Sequence, residues 1–287
     1  MSVPLSTVTF PCGSACERTS VSAITQHGGD YVVIAASTPF HPRDYQWPDQ
    51  PEDGGYIESS AGRRHGLSDV VCVGVDSEGI YFVDTEIPVK KNAPGWQFVV
   101  GHVIRGENPS LAAGDEILLQ VDEARRSQLS RPHSAAHLMS LALDRVLAPL
   151  WHKEAPWLDA LNNPPFDQLA IERSQIAPLS SVDSYRLGKS LRKKGFSAHG
   201  LANELDESIR AVNAQIAEWL QTDAPVSIRT EGNLLTSYRY WSTVLENRTV
   251  EIPCGGTAVA RLCEIGSVEV TAEMPDEETL IIRTSVR

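Results

Sequence analysis

The chain has 287 residues, of which 41% are hydrophobic and 22% charged, a composition that excludes an intrinsically disordered or collagen-like protein. This length exceeds the roughly 100–150 residues usual for one domain, so two domains are expected. The 25 Lys and Arg residues against 37 Asp and Glu residues give a formal net charge of −12, which argues against an indiscriminate nucleic-acid binder but leaves room for a local basic patch.

The apolar stretches and the cysteines point to a cytoplasmic protein without a membrane partner. No stretch approaches the ~20 apolar residues that a membrane helix requires, and the first residues do not resemble a secretory signal. The five cysteines are odd in number and irregularly spaced, unlike a disulfide framework. We expect reduced thiols or metal ligands.

Short strands separated by turns are predicted in the first part of the chain. β-Branched or alternating apolar runs occupy residues 21–25, 31–37, 69–76, 80–86, 96–106 and 116–122. Several short strands at this spacing favour a small β-barrel or a curled sheet. The Pro-, Asp- and Gly-rich segment 37–57 interrupts them and is predicted to be a long loop, a kind of segment that is often functional.

The hydrophobic period becomes helical at about residue 131. A helix is predicted over residues 132–148, with Ser130 as its N-cap and Pro149 ending it. A second amphipathic helix is predicted over residues 200–220, and strand-like segments follow it. The fold class is therefore α+β: a small β-barrel domain with the loop at residues 1–124, then an α/β domain with an antiparallel sheet at residues 125–287.

Two histidines on the first predicted helix are candidate metal ligands. His133 and His137 stand four residues apart, so both imidazoles project from one helix face, one turn apart. Two surface or core histidines would give the same pattern. Far downstream, Cys254 precedes Gly255 and Gly256, where a turn can bring backbone N–H groups close to a ligand. A lone cysteine in such a place is also a common small buried hydrophobe.

Four segments together resemble one family. Arg-Pro-His-Ser-Ala-Ala-His-Leu and the later Cys-Gly-Gly-Thr-Ala-Val-Ala resemble the paired HxxxH and CxxxH motifs of the alanyl-tRNA editing proteins and of the related editing domains in alanyl- and threonyl-tRNA synthetases. Thr38, Phe40 and Pro42, followed by Gln-Pro-Glu-Asp-Gly-Gly at 50–55, are similar to the family's T-x-F-x-P and Q-P-x-D-x-G segments. The resemblance covers about residues 20–270.

The resemblance implies a free-standing enzyme that removes amino acids from mischarged tRNA in trans, without ATP, in the service of translation fidelity. It implies that residues 125–287 form a zinc-binding editing domain whose metal-bearing helix is the first one. It also implies a Zn2+ ion bound by His133, His137 and Cys254, a three-ligand set with open positions. The implied catalytic residues are His133, His137, Gln50 and Thr257, and the implied substrate-binding residues include Asp53, Gly255 and Gly256.

The family's fourth ligand falls at Ala258, which cannot coordinate a metal. We favour a His2Cys site completed by water, which is chemically sufficient. Loss of the metal would leave a histidine as a candidate general base and would suit an alternative function, a metal-free protein that binds tRNA or an amino acid without turnover. The third explanation is a replacement ligand from among His41, His102, His199 and Cys263.

The loop departs from the family as well, because residues 43–49 stand where the family usually has glycines. If Tyr45 and Trp47 line the amino-acid pocket, the substrate should differ from seryl-tRNA for alanine and resemble threonine, or a threonine analogue such as fluorothreonine. Serine and alanine stay open, as does a role for the loop in packing alone. An esterase or amidase acting on a small aminoacyl substrate is a further hypothesis.

A basic cluster within nine positions is the candidate tRNA-binding surface. Such clustering in an acidic protein is what local docking of an acceptor stem requires, although a solvated basic face has the same composition. The cluster consists of Arg186, Lys189, Arg192, Lys193 and Lys194.

Overall fold

The computed structural model describes residues 6–106 and 108–287, which contain 17 β-strands and four α-helices. The chain divides into two compact units, and segments from late in the sequence belong to the first, so the units are not contiguous like the predicted domains. No helix of the described residues is long and apolar enough to cross a membrane. Unit 1 comprises Met1–Ser127, Ile228–Tyr240 and Gly255–Thr257, and unit 2 comprises Gln128–Ser227, Trp241–Cys254 and Ala258–Arg287.

The first ten strands lie in unit 1. The predicted strands correspond to β2, β3, β7, β8, β9 and β10, whereas β1, β4, β5 and β6 were not predicted. The predicted loop 37–57 is too long, because β4 and β5 occupy its two ends. The strand bounds are β1 (Thr7–Val8), β2 (Cys16–His27), β3 (Asp30–Ala35), β4 (Ser37–Thr38), β5 (Gly55–Ser59), β6 (Arg64–Gly66), β7 (Asp69–Val75), β8 (Tyr81–Val83), β9 (Gln97–Ile104) and β10 (Glu116–Val121).

Eight of these strands form one antiparallel sheet in the order β6-β5-β10-β2-β3-β9-β7-β8. Its central strands are buried on both faces. Val33, Cys72 and Val100 belong to one apolar cluster, while Val32 and Val73 belong to another. This explains the unbroken apolar runs in the sequence, since a strand covered on both faces has no polar side. Closure of the sheet into a barrel stays a prediction.

A fully buried histidine links β9 to the start of the long loop. His102 Nδ1 lies 2.8 Å from the carbonyl oxygen of Val33, which can only accept, so Nδ1 carries the proton and Nε2 accepts from the Thr38 hydroxyl at 2.8 Å. The Phe40 ring packs edge-on against the imidazole at 5.3 Å. Thr38 and Phe40 of the T-x-F-x-P segment therefore help to pack the core of unit 1.

We expect His102 to make stability depend on pH. Burial lowers the pKa of His102 from 6.5 to about 4, although its bond to Val33 opposes this shift. Between pH 6.5 and 4 the unfolded chain binds more protons, so the contribution of His102 to the free energy of unfolding is lost as pH falls through this window. In chemical denaturation, the difference in free energy of unfolding between wild type and His102→Gln should narrow by roughly 3 kcal/mol as the pH falls through this window. A constant difference for His102→Gln across this pH window would contradict the expectation.

Unit 2 contains most of the helices and the remaining strands. The four strands β11, β12, β17 and β16 form an antiparallel sheet in that order, and β14 and β15 are neighbours in another. Most of β13 belongs to unit 1. The bounds are α1 (Glu123–Leu147), α2 (Phe166–Ala170), β11 (Ile171–Ala177), β12 (Ser180–Arg186), α3 (Lys189–Lys194), α4 (Leu201–Leu220), β13 (Ser227–Thr230), β14 (Arg239–Leu245), β15 (Arg248–Pro253), β16 (Val268–Asp276) and β17 (Thr279–Val286).

Helix α4 agrees with the second predicted helix and packs on β16. Its apolar stripe includes the buried residues Ile209, Val212 and Ile216, as the helical period requires. The Asn213 side chain accepts from the Val270 N–H and donates to the Val270 carbonyl, both at 2.8 Å. This pair of bonds holds the helix on the strand at a definite position.

The predicted start of the first helix is wrong, because α1 begins at Glu123 and Pro132 lies inside it. Proline lacks the N–H that would donate to the carbonyl four residues earlier, that of Gln128. In the structure the N–H of Leu179 donates to this carbonyl at 2.9 Å. A partner distant in sequence therefore compensates for the lost helical bond, and the helix continues through Pro132.

Candidate metal centre

Unit 2 brings the three predicted metal ligands together. Helix α1 carries His133 and His137, whose ring centroids are 4.9 Å apart, and Cys254 directly follows β15. One ligand atom from each side chain lies within 4.8 Å of the others. Cys254 Sγ lies 3.6 Å from His133 Nε2. Two imidazoles and a thiol arranged in this way could hold a metal ion.

The thiol of Cys254 is prepared to act as an anionic ligand. Burial alone would raise its pKa, but the charges of the neighbouring His133 and His137 outweigh burial and hold the pKa well below its ordinary value. The thiolate is the form of cysteine that binds metals. The environment of the sulfur therefore favours coordination over the role of a small buried hydrophobe.

His137 contributes a second sign that a ligand belongs in this centre. Its Nε2 atom is buried and has no hydrogen-bond partner among the described residues. Its ring packs on Trp241, with centroids 5.1 Å apart, and Trp241 is fully buried. An unsatisfied buried nitrogen costs free energy, and coordination of a cation would remove that cost.

No fourth metal ligand takes the place of Ala258 among the described residues. Among the described residues, the group of potential ligands contains His133, His137 and Cys254 only. None of the four proposed replacement ligands joins it. Both ring nitrogens of His102 are engaged in unit 1, and the thiol of Cys263 is exposed and hydrogen-bonded to Asp223. The donors present are those of a three-ligand site.

Gln50 and Thr257 form a reciprocal pair inside unit 1. Gln50 Nε2 donates to Thr257 Oγ1 at 2.9 Å, and the Thr257 N–H donates to Gln50 Oε1 at 3.0 Å. Both residues are buried. Since Thr257 is the third residue after Cys254, this pair fixes the backbone that continues from the thiol. At Gly255, an added Cβ would meet no atom within 4 Å, so space is open beside this turn.

The buried carboxylate of Asp53 accepts hydrogen bonds from the long loop and from Arg126. The N–H of His41 donates to Asp53 Oδ2 at 2.6 Å, and Arg126 Nε donates to Asp53 Oδ1 at 3.0 Å, with a second bond from Arg126 to Oδ2. Arg126 also donates to the carbonyls of Ser14 and Pro39. The Asp53 side chain is fully buried, so this ion pair fixes the long loop in place.

Breaking the Asp53–Arg126 pair should destabilise the protein strongly. Asp53→Leu or Arg126→Leu alone leaves a buried charge without its partner, so each should lower the free energy of unfolding by about 3–5 kcal/mol. The double variant should lose less than the sum of the two. The exposed pair of Glu58 and Arg64 is the control, and Glu58→Gln should cost at most about 1 kcal/mol. Denaturant titration measures all four, and additive losses would argue against a coupled pair.

Sequence comparison relates the chain to alanine–tRNA ligases. No family model matches it. It is 27% identical over 258 residues to the alanine–tRNA ligase of Bordetella petrii, which covers 86% of this chain and 23% of that protein. The chain is 27% identical over 267 residues to the alanine–tRNA ligase of Bordetella pertussis, a match that covers 90% of this chain and 24% of that protein. The alanine–tRNA ligase of Burkholderia mallei is 27% identical over 189 residues, which covers 61% of this chain and 18% of that protein.

These relatives are alanine–tRNA ligases. The chain spans about a quarter of the length of the two Bordetella proteins, 23% and 24%. The similarity fits the alanyl-tRNA editing superfamily, the same group that the motifs resemble. A mixed α/β chain with a candidate metal centre formed by His133, His137 and Cys254 is consistent with it.

The loop residues Tyr45 and Trp47 occupy different environments. The Tyr45 hydroxyl donates to the Val89 carbonyl at 2.9 Å, and its ring stacks on Phe98 with centroids 6.3 Å apart. Burial, with smaller contributions from Cys72 and Asp44, raises the pKa of Tyr45 to about 12. Trp47 is 44% exposed. Tyr45 therefore anchors the loop, while Trp47 faces solvent in part.

A small cavity beside the same loop was not predicted. Its volume is about 20 Å³, enough for about one water molecule. Asp44 and Lys91, which line it, form an ion pair. Lys91 and Arg239 come from distant parts of the sequence with no motif around them, so no local signal could have identified them. The other lining residues include His41, Asp49 and Gly255.

The basic cluster divides into paired and unpaired side chains. Arg186, at the end of β12, pairs with Glu172 at 3.3 Å, and Arg192 on α3 pairs with Glu278 at 3.3 Å. Within the described residues no acidic partner is seen for the lysines of the cluster, Lys189, Lys193 and Lys194. The structure thus leaves three lysines to act as the positive charge of this surface.

Proposed function

We propose that this protein is an aminoacyl-tRNA deacylase that hydrolyses the aminoacyl ester of mischarged tRNA in trans. The observation that carries the proposal is the convergence of His133, His137 and Cys254 around a buried, unsatisfied His137 Nε2. The similarity to alanine–tRNA ligases supports tRNA as the partner. The same orphaned nitrogen weighs against the metal-free binding protein, because a site without a metal would retain this cost.

We further propose that the metal is Zn2+, held by the two imidazoles and the thiolate. Nitrogen and sulfur donors in this number suit zinc, and catalytic zinc sites commonly have three protein ligands. When bound, the ion supplies Lewis acidity for attack on the activated ester carbonyl. Trp241 covers one side of the His137 ring and so limits the access of water to that ligand.

The chain's own backbone is the proposed binding element for the ester. Gly255 and Gly256 follow the Cys254 ligand directly, and we propose that their N–H groups hold the ester carbonyl oxygen. Thr257 is held by Gln50 through two hydrogen bonds, which keeps this backbone rigid. Preorganised N–H donors stabilise the charge that develops on an ester oxygen during hydrolysis. Gln50 is in this scheme a positioning residue, as is Asp53 through the loop.

Two further features of the sequence, the basic cluster and the loop 43–49, are proposed to recognise the tRNA and the amino acid. Residues 125–287 form the proposed editing domain, with Lys189, Lys193 and Lys194 contacting phosphates of the acceptor stem. The loop 43–49, held by the contacts of Tyr45 with Val89 and Phe98, is the proposed determinant of amino-acid preference. A rigid loop in place of glycines favours a side chain related to threonine, such as threonine or fluorothreonine, over serine or alanine.

Metal analysis tests the centre without measuring activity. Protein purified without chelators should contain about one zinc ion per chain, because the three donors form a complete catalytic ligand set. Cys254→Ala and His137→Ala should lose it, since each removes one donor. Cys263→Ala, which changes an exposed thiol, is the matched control and should keep it. Elemental analysis showing little metal in the wild type, or full metal in Cys254→Ala, would contradict the proposed centre.

Deacylation of a substrate panel tests the reaction. Purified protein should release amino acid from pre-charged mischarged tRNAs, with threonine-related esters preferred over seryl-tRNA for alanine. Cys254→Ala should lower kcat/KM by about 10²-fold or more, because metal catalysis is worth several kcal/mol. The Cys263→Ala control should retain the wild-type rate. Stable esters across the whole panel would refute the deacylase, and equal rates on free aminoacyl esters lacking tRNA would favour a small-molecule esterase.

A further inference from the structure

Lysine is rare in this chain and is concentrated in unit 2. The sequence contains six lysines. Two of them, Lys90 and Lys91, lie in unit 1, and Lys91 pairs with Asp44. The other four belong to unit 2. Three of these are members of the basic cluster, and the fourth, Lys153, stands 33 positions before Arg186, where the cluster begins. Its place in the fold therefore decides whether the cluster is larger than the sequence shows.

Backbone hydrogen bonds tie the segment after α1 to the segment after α3. The His152 N–H donates to the Gly195 carbonyl at 3.0 Å, and the Ser197 N–H donates to the Leu150 carbonyl at 2.9 Å. The two segments run antiparallel. Since Lys153 directly follows His152, this pairing places the lysine beside the end of α3.

Gly195 lets Lys153 approach α3 closely. It caps the helix with φ at 114°, a conformation that favours glycine, and an added Cβ would lie only 2.8 Å from the Cβ of Lys153 and 3.4 Å from its Cα. Because consecutive Cα atoms are about 3.8 Å apart, Lys153 and Lys194 are neighbours in space. Trp151 packs edge-on against the buried Phe196, with ring centroids 5.6 Å apart, which holds the two segments together.

The four lysines form one positively charged surface, termed here the lysine surface. Lys153, Lys189 and Lys193 are exposed, and Lys194 is half-buried. Leu191 is the buried residue of α3, and helical spacing directs Lys189 and Lys193, four residues apart, away from it. In the part of the chain that the structure describes, none of the four lysines has an acidic partner. Their charges are therefore available to a ligand.

The two arginines of the basic cluster lie among acidic side chains instead. Arg186 pairs with Glu172 and Arg192 pairs with Glu278, both at 3.3 Å. Each arginine lines a cavity of about 590 Å³ that also contains all three residues of the acidic turn, residues 276–278 between β16 and β17. Four carboxylates thus accompany two guanidinium groups. This side of the cluster is net negative and repels phosphate.

We infer that Lys153 is a phosphate-binding residue for tRNA, and that the lysine surface, rather than the whole basic cluster, holds the phosphates. The inference rests on the proposed function for its partner, and it deepens that function by adding Lys153 and excluding Arg186 and Arg192. In a chain of net charge −12, four lysines without acidic partners supply the local positive charge that a nucleic-acid backbone requires. Lysine binds phosphate as a point charge, and phosphate contacts position a nucleic acid without reading its sequence.

Salt titration of tRNA binding tests the inference. Uncharged tRNA is the probe, and the slope of log affinity against log salt concentration counts the phosphates that the protein neutralises. Lys153→Gln should reduce this slope by about 1, so its loss of affinity between about 50 and 200 mM salt should be about 3-fold smaller than that of the wild type. Lys153→Arg keeps the charge and should retain the wild-type slope.

Two matched variants remove the same single charge elsewhere. Lys90→Gln changes an exposed lysine of unit 1, and Arg186→Gln changes an arginine that is paired with Glu172. Both should keep the wild-type slope. If Lys153→Gln has the same slope as Lys90→Gln, the inference is overturned. An equal reduction in Arg186→Gln would also overturn it, because the cluster as a whole would then bind.

Binding to lipid vesicles separates tRNA from a membrane as the occupant. Vesicles of phosphatidylserine and phosphatidylcholine present anionic headgroups without nucleic acid. If Lys153→Gln weakens binding to these vesicles but leaves tRNA binding unchanged, the lysine surface belongs to a membrane and the inference is wrong.

Kinetics distinguish failure of the inference from failure of the proposed function. If wild-type protein deacylates charged tRNA but Lys153→Gln keeps the wild-type KM at every salt concentration, the lysine surface is wrong and the hydrolase stands. If the wild type binds tRNA through Lys153 but deacylates none, the hydrolase is wrong and the surface stands. A raised KM in Lys153→Gln with little change in kcat would support both.

Discussion

The buried ion pair between Asp53 and Arg126 is the interaction on which the long loop of unit 1 depends most. Three further groups converge on it: the His41 N–H, which donates to Asp53, and the Ser14 and Pro39 carbonyls, which accept from Arg126. A carboxylate with no exposed surface is tolerable only when it is fully paired. The pair therefore fixes the loop that carries Gln50, and Gln50 in turn holds the backbone that continues from Cys254.

Unit 2 concentrates buried polar groups near its histidines. The Tyr185 hydroxyl donates to Asp167 at 2.8 Å, and the Asp167 N–H donates to Asp144 at 2.7 Å. Burial raises the pKa of Asp167 to about 6, with Tyr185 and His137 opposing the shift, and burial raises the pKa of Asp144 as well. Buried titratable groups therefore lie close to His137, and groups with shifted pKa values often cluster at functional sites.

Sequence periodicity predicted the elements whose buried faces are apolar. Helix α4 and the central strands β3, β7 and β9 were recognised for this reason. Strand β12 was missed because its buried face is made of Ser181, Asp183 and Tyr185, so no apolar alternation marks it. The buried side of that strand is satisfied by hydrogen bonds such as Ser181 to Asp183 at 3.1 Å, which a hydrophobicity pattern cannot reveal. Strand β11 was missed because Ile176 is its one buried residue.

By itself the sequence determined the chemical inventory of the candidate centre: two histidines at helical spacing and a cysteine at a glycine turn. Only the tertiary structure decided that Cys254, 121 residues after His133, lies within reach of it, and that the interior leaves His137 Nε2 unsatisfied. It also decided that α1 continues through Pro132, because Leu179 pairs with the carbonyl that proline leaves free. Local patterns specify which groups are present, whereas contacts between distant segments set their partners, and with them the pKa of each group.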